Sequence, residues 1–172
     1  TNCLMTGNSG AQTLVSAVSA ASLSVDSCTV GTNGFSNAAF YTTGDFALHG
    51  SIIWQPEMTT LDPSSNLSRV SAVSLIVTDD DSFYGLSFLE SLNVSDRDPA
   101  FVDADIGNFH LRPESFAVDN NFTGPATDIE GYPRPVNLLH LNGLGFYDVG
   151  AYEQQDKGDT IFSDGMDRII FN

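Results

Sequence analysis

Short runs of β-prone residues recur along the first half of this chain, and within each run small or apolar residues alternate with their neighbours. Asn2-Cys3-Leu4-Met5, Ser27-Cys28-Thr29-Val30, Gly50-Ser51-Ile52-Ile53 and Val73-Ser74-Leu75-Ile76 align on Cys3, Cys28, Ser51 and Ser74, at spacings of 25, 23 and 23 residues. A period in that range belongs to solenoids. Each run is too short for a repeat helix, so the unit is one coil of a β-solenoid whose strands pair with their equivalents one coil on. Alternation places Cys3 and Met5, Cys28 and Val30, Ser51 and Ile53, and Ser74 and Ile76 on one face, as stacked interior ladders. Leu23-Ser24-Val25 and Phe46-Ala47-Leu48 repeat the alternation and predict a second strand per coil. Gly7-Asn8-Ser9-Gly10, Gly31-Thr32-Asn33-Gly34 and Gly44-Asp45 mark turns, because Gly and Asn tolerate positive φ.

The period frays after Ile76, where Asp79-Asp80-Asp81 opens a longer polar excursion of the kind that lands as a loop on a solenoid flank. From Asp96 the chain turns to Pro, Gly, Asp and aromatic residues with no clear repeat. The expected organisation is therefore coils with loop excursions over 1–95, an irregular C-terminal cap over 96–153, and a tail over 154–172. A solenoid end exposes unpaired strand edges and an apolar cross-section, which is why a cover is expected.

Composition narrows the partners. The 172 residues carry 22 acidic and six basic side chains, a net charge of −16. Nucleic acid, which needs clustered Lys and Arg, is excluded as a partner, as is electrostatic docking on an anionic membrane. Such acidity suits a secreted or surface protein, a saline habitat or calcium binding. No stretch reaches the roughly 18 apolar residues of a spanning helix. Cys3 and Cys28, the two cysteines, occupy equivalent places in consecutive coils. Parallel neighbours lie about 4.8 Å apart, so a disulfide in an oxidising compartment and an unbridged stack of two buried thiols both fit. The chain opens at Thr1 inside a repeat, which reads as a mature fragment or the C-terminal piece of a longer protein.

The second half carries a denser signal. Asp98-Pro99-Ala100-Phe101-Val102-Asp103, Gly107-Asn108-Phe109-His110-Leu111-Arg112-Pro113-Glu114-Ser115, Ala117-Val118-Asp119, Thr127-Asp128-Ile129-Glu130-Gly131-Tyr132-Pro133-Arg134-Pro135 and Asp148-Val149-Gly150-Ala151-Tyr152-Glu153 follow in order. Together they resemble the C-terminal end of the exported choice-of-anchor Q proteins, over about a third of the chain. The tail Asp159-Thr160-Ile161-Phe162-Ser163-Asp164-Gly165 resembles a terminal motif of exported gammaproteobacterial proteins, from which Met166-Asp167 departs. The resemblance implies an all-β, right-handed parallel β-helix similar to that of pectate lyases, and a secreted or cell-surface bacterial location. It implies a fold and a route of export rather than a reaction.

Three roles follow as expectations. The first is a non-catalytic C-terminal segment of a surface-associated β-helix, structural, adhesive or in contact with polysaccharide or cell-surface glycan. The second is a carbohydrate-active enzyme, a polysaccharide lyase or glycoside hydrolase. The third is a self-assembling subunit, joined to a neighbour or to upstream coils through the open N-terminal edge. Trp54, Phe83 and Tyr84 are the candidates for stacking on sugar rings, with Phe88 beside them. Asp79, Asp80 and Asp81 are weak calcium candidates, since clustered carboxylates are hard oxygen ligands. In the cap, Arg134 reads as a structural ion pair beside Asp128 and Asp148, with Asp98 and Glu153 in the same motif set. No catalytic residue is assigned. His49, His110 and His140 are scattered without a Ser or Cys partner signature, so nucleophilic catalysis falls away, and His49 reads as merely exposed.

Overall fold

A computed structural model describes residues 1–155 apart from 11, 19–21, 36–37, 57, 79–87 and 137–142. It is all-β, a solenoid of about three turns. The coil strands are β1 (Leu4–Thr6), β2 (Ser9–Gly10), β3 (Val15–Ala17), β4 (Ser22–Asp26), β5 (Thr29–Gly31), β6 (Gly34–Phe35), β7 (Ala38–His49), β8 (Ile52–Trp54), β9 (Thr59–Leu61), β10 (Asn66–Val77) and β11 (Phe88–Ser95). Every pairing among them is parallel. β12 (Phe101–Asp103) and β13 (Asn108–Leu111) form an antiparallel hairpin through a 3-10 turn at Ala104–Ile106. That turn, capped by Asp103 and Gly107, closes the hairpin.

Three columns define the coil. Leu4, Thr29, Ile52 and Ile76 stack in register, as do Leu23, Phe46 and Val70, and Val15, Phe40 and Leu61. Cys28, Val30, Phe40, Phe46, Leu48, Ile53, Val70, Leu75 and Val77 are buried together, with Cys3 and Met5 packed against them. The expected ladders of the first three coils, and the second strand at Leu23 and Phe46, are as the alternation implied. The fourth is displaced by one residue. Ile76 pairs with Ile52, and its N–H donates to the Ser51 carbonyl at 3.0 Å, so Leu75 and Val77 point inward where Ser74 and Ile76 were expected.

The reason lies at the corner. Asn2, Ser27, Gly50, Ser74 and Asn93 all have φ between 49° and 57°, so one left-handed residue per coil turns the chain between its two long strands. Ser74 is the equivalent of Gly50, not of Ser51. The coil grows by one residue there, and the similar strings Ser-Ile-Ile and Ser-Leu-Ile hide the slip. Ser74 also leaves its buried hydroxyl without a hydrogen-bond partner. Ser74→Gly removes both penalties and is expected to stabilise the fold by about 1 kcal/mol, raising the melting temperature by roughly 2–4 °C. An unchanged or lower melting temperature would refute this account of the corner.

The opposite corner is tied by side chains. Asn33 Oδ1 accepts the Asn8 N–H at 3.0 Å, Gln55 Oε1 the Asn33 N–H at 2.9 Å, and Thr78 Oγ1 the Gln55 N–H at 2.6 Å. Each coil thus satisfies the turn of the one before it.

The described residues of 98–153 lie along the flank of the solenoid and span its coils. Gly150 donates to the Gly50 carbonyl at 2.7 Å, Ala151 to Thr29 Oγ1 at 3.0 Å, and Asn2 Nδ2 to the Thr127 carbonyl at 3.3 Å. Ile52 and Ile76, on the outward face, are buried against Phe101, Phe109, Leu111, Ala117, Val118 and Val149. Two glycines make the approach possible. A side chain on Gly31 would meet the Phe109 ring at 2.6 Å, and one on Gly50 would collide with Asn121 Nδ2. A sheet covered on both faces explains the unbroken apolar runs Ile52-Ile53 and Leu75-Ile76-Val77.

Candidate functional site

Three places on the described surface and core gather chemistry. The first is a cleft of about 420 Å³ where β8 ends against the cap, lined among others by Asn33, Trp54, Gln55, Met58, Asp105 and Phe109. Trp54 pairs across from Gly31, and this small neighbour leaves its ring half-buried against the cap's apolar cluster. Asn33 and Gln55 are held by the corner ladder, which fixes the polar wall. The cleft therefore sets two aromatic rings, Trp54 and Phe109, and the Met58 side chain beside the exposed Asp105 carboxylate, a combination suited to a sugar. Phe83 and Tyr84, the other aromatic candidates, lie outside the described residues, as do Asp79, Asp80, Asp81, His140 and 156–172. Phe88, named with them, opens β11.

The second place is the interior of the cap. Arg134, wholly buried, donates from Nε to Glu153 Oε2 at 2.8 Å, from Nη1 to the Gly150 carbonyl at 3.1 Å and from Nη2 to the Asp148 carbonyl at 2.6 Å. Its ionic partner is thus Glu153, and it meets Asp148 through the main chain. The Asp148 carboxylate instead accepts the Asp119 and Gln154 N–H groups at 2.9 and 2.6 Å. Burial, with the Glu153 charge beside it, pushes Asp148 up to about 8 despite those donors. Burial likewise raises Glu153. Asp128 accepts the N–H groups of Glu130, Tyr132 and Glu153, and Asp98 that of Ala100. These carboxylates face main-chain donors and brace turns, so their chemistry is structural. Cys3 and Cys28 are free thiols in adjacent coils, and burial together with Cys3 pushes Cys28 up to about 11, well away from a reactive thiolate.

The third place is the outward face of β4, β7 and β10. Read down the columns, it carries Ser22, Asp45 and Arg69 in one row, Ser24, Ala47 and Ser71 in the next, and Asp26 and His49 in a third. Arg69 pairs with Asp45. His49 Nε2 lies 2.8 Å from Ser71 Oγ, and its Nδ1 lies 3.4 Å from Asp26 Oδ1. Ser24 donates to the other Asp26 oxygen at 2.6 Å. His49 points outward as its parity required, but the expectation that no histidine has a serine partner is corrected here. The missed signal was the period itself, because Asp26, His49 and Ser71 are about one coil apart in sequence.

Compared with protein-family models, curated proteins and solved structures, the chain matches none. The class its geometry defines is the parallel β-solenoid with a flank-packed irregular C-terminal segment.

Proposed function

We propose that this chain is a structural, glycan-contacting segment of an exported, surface-associated β-helix protein. The observation that carries the proposal is the Trp54 cleft, where an indole beside Met58 and Phe109 shares one concave wall with the Asp105 carboxylate. Flat apolar rings pack on pyranose faces, and the exposed Asp105 carboxylate on the same cleft accepts from hydroxyls. The net charge of −16 favours neutral over anionic glycans. The resemblance of residues 98–153 to the end of choice-of-anchor Q proteins supports export and a right-handed coil.

Trp54 is the chain's single tryptophan, so its emission reports directly on the cleft. Titration with neutral oligosaccharides is expected to shift that emission, and Trp54→Ala is expected to weaken retention on the matching polysaccharide gel at least ten-fold while leaving the unfolding transition cooperative. Silence across neutral and acidic glycans alike would overturn the reading.

A further inference from the structure

The line Ser71, His49 and Asp26 has the order of a nucleophile, a base and a carboxylate that orients the base. From it we infer that the outward face of β4, β7 and β10 is a serine hydrolase site for esters of short, uncharged acyl groups. The inference goes beyond glycan contact and does not rest on it.

Each part has a place in the geometry. The serine oxygen and His49 Nε2 are at proton-transfer distance, 2.8 Å. Asp26 faces Nδ1, which selects the tautomer with its proton on Nδ1 and a lone pair on Nε2. Ser24 holds the second carboxylate oxygen, so Asp26 is itself positioned. The side chains of His49 and Asp26 are 39% and 33% exposed, leaving the line accessible to a substrate. Beside Ser71 runs a groove of about 310 Å³ whose outward-row side chains are Ser22, Ser24, Asp45, Ala47, Arg69 and Ser71. Ala47 and Ser24 are small, so the groove suits a short acyl chain. Arg69 stands two residues before Ser71 on the same strand and face, its guanidinium paired with Asp45 along the groove.

The reaction balances without a cofactor. Ser71 Oγ bonds to the ester carbonyl carbon while its proton passes to His49 Nε2. Collapse of the tetrahedral adduct breaks the bond to the alcohol, which leaves with that proton. Water then attacks the acyl-serine, giving its proton to His49, and the carboxylic acid departs as the proton returns to Ser71 Oγ. All three side chains sit on separate coils, so rigid stacking of the coils is what preorganises them.

The test treats the full chain with a fluorophosphonate probe, maps the adduct by mass spectrometry, and follows p-nitrophenyl acetate hydrolysis. The expected result is one adduct on Ser71, none in Ser71→Ala, and labelling at least ten-fold slower in His49→Gln. Hydrolysis is expected to fall at least ten-fold in Ser71→Ala and in Asp26→Asn, with melting temperatures near that of the parent chain. No adduct, an adduct elsewhere, equal labelling of His49→Gln, or parental hydrolysis by Ser71→Ala would each overturn the assignment and leave a polar surface ladder.

Discussion

Replacing Arg134 by methionine is expected to cost about 3–5 kcal/mol, the range for breaking a wholly buried ion pair by removing one partner. The loss exceeds that of a single hydrogen bond because three groups depend on one guanidinium: the Glu153 carboxylate and the carbonyls of Gly150 and Asp148. Glu153 would keep its Val136 and Asp148 N–H donors but would remain a buried charge with no cation. Gly150, whose N–H anchors the cap on Gly50, would lose the brace on its carbonyl. Lysine offers a single ammonium at the end of a flexible stem and cannot reproduce the fork, so Arg134→Lys is expected to recover little. Urea denaturation gives the free energy, and limited proteolysis should show cuts within 98–153 before cuts in the coils. A loss below about 1 kcal/mol would mean that the cap is held by its apolar contacts with Ile52 and Ile76 instead.

The ladder positions were legible because an interior column must be small or apolar in every coil, so Met5, Val30 and Ile53 announce themselves at a fixed interval. Ser74 was not legible, since the left-handed corner is occupied by Asn, Ser and Gly in turn and resembles the residue after it. The flank position of the cap was written in Ile52, apolar on a face that alternation would have left to water, whereas Ile76 joins it only through the slip at Ser74, and only the chain's long-range contacts say what covers them. The partner of Arg134 was out of reach for a different reason. Asp128, Asp148 and Glu153 are all acids in one motif, and the choice among them depends on which carboxylate the turns aim at the guanidinium. The His49 line shows the converse case. In a solenoid, residues one period apart are neighbours, so a triad can be spread over more than forty residues of sequence and still be read by stacking the coils.

Stability is expected to fall as the pH rises from about 4 to about 8, opposite to the behaviour that salt-bridged carboxylates give. Asp148 titrates near 3.9 in an unfolded chain and at about 8 in the folded one. Between those values the folded chain holds a proton that the unfolded chain has released, so each step up in pH favours unfolding. The slope approaches about 1.4 kcal/mol per pH unit where the difference is fullest. Below about pH 4 both states are protonated and the contribution is wholly present; above about pH 8 both are ionised and no further loss follows. Glu153, raised by its own burial, acts in the same sense. Relief of repulsion in a chain of net charge −16 also favours the acid side, so the wild-type profile alone does not isolate Asp148. Asp148→Asn does. The amide cannot ionise, and although it sets an N–H donor against that of Asp119 or Gln154 and so lowers stability overall, the profile between pH 5 and 8 should flatten markedly. Urea midpoints across that range for both proteins decide it: parallel slopes would assign the pH dependence to surface repulsion, and a flattened variant would assign it to the carboxyl beneath Arg134.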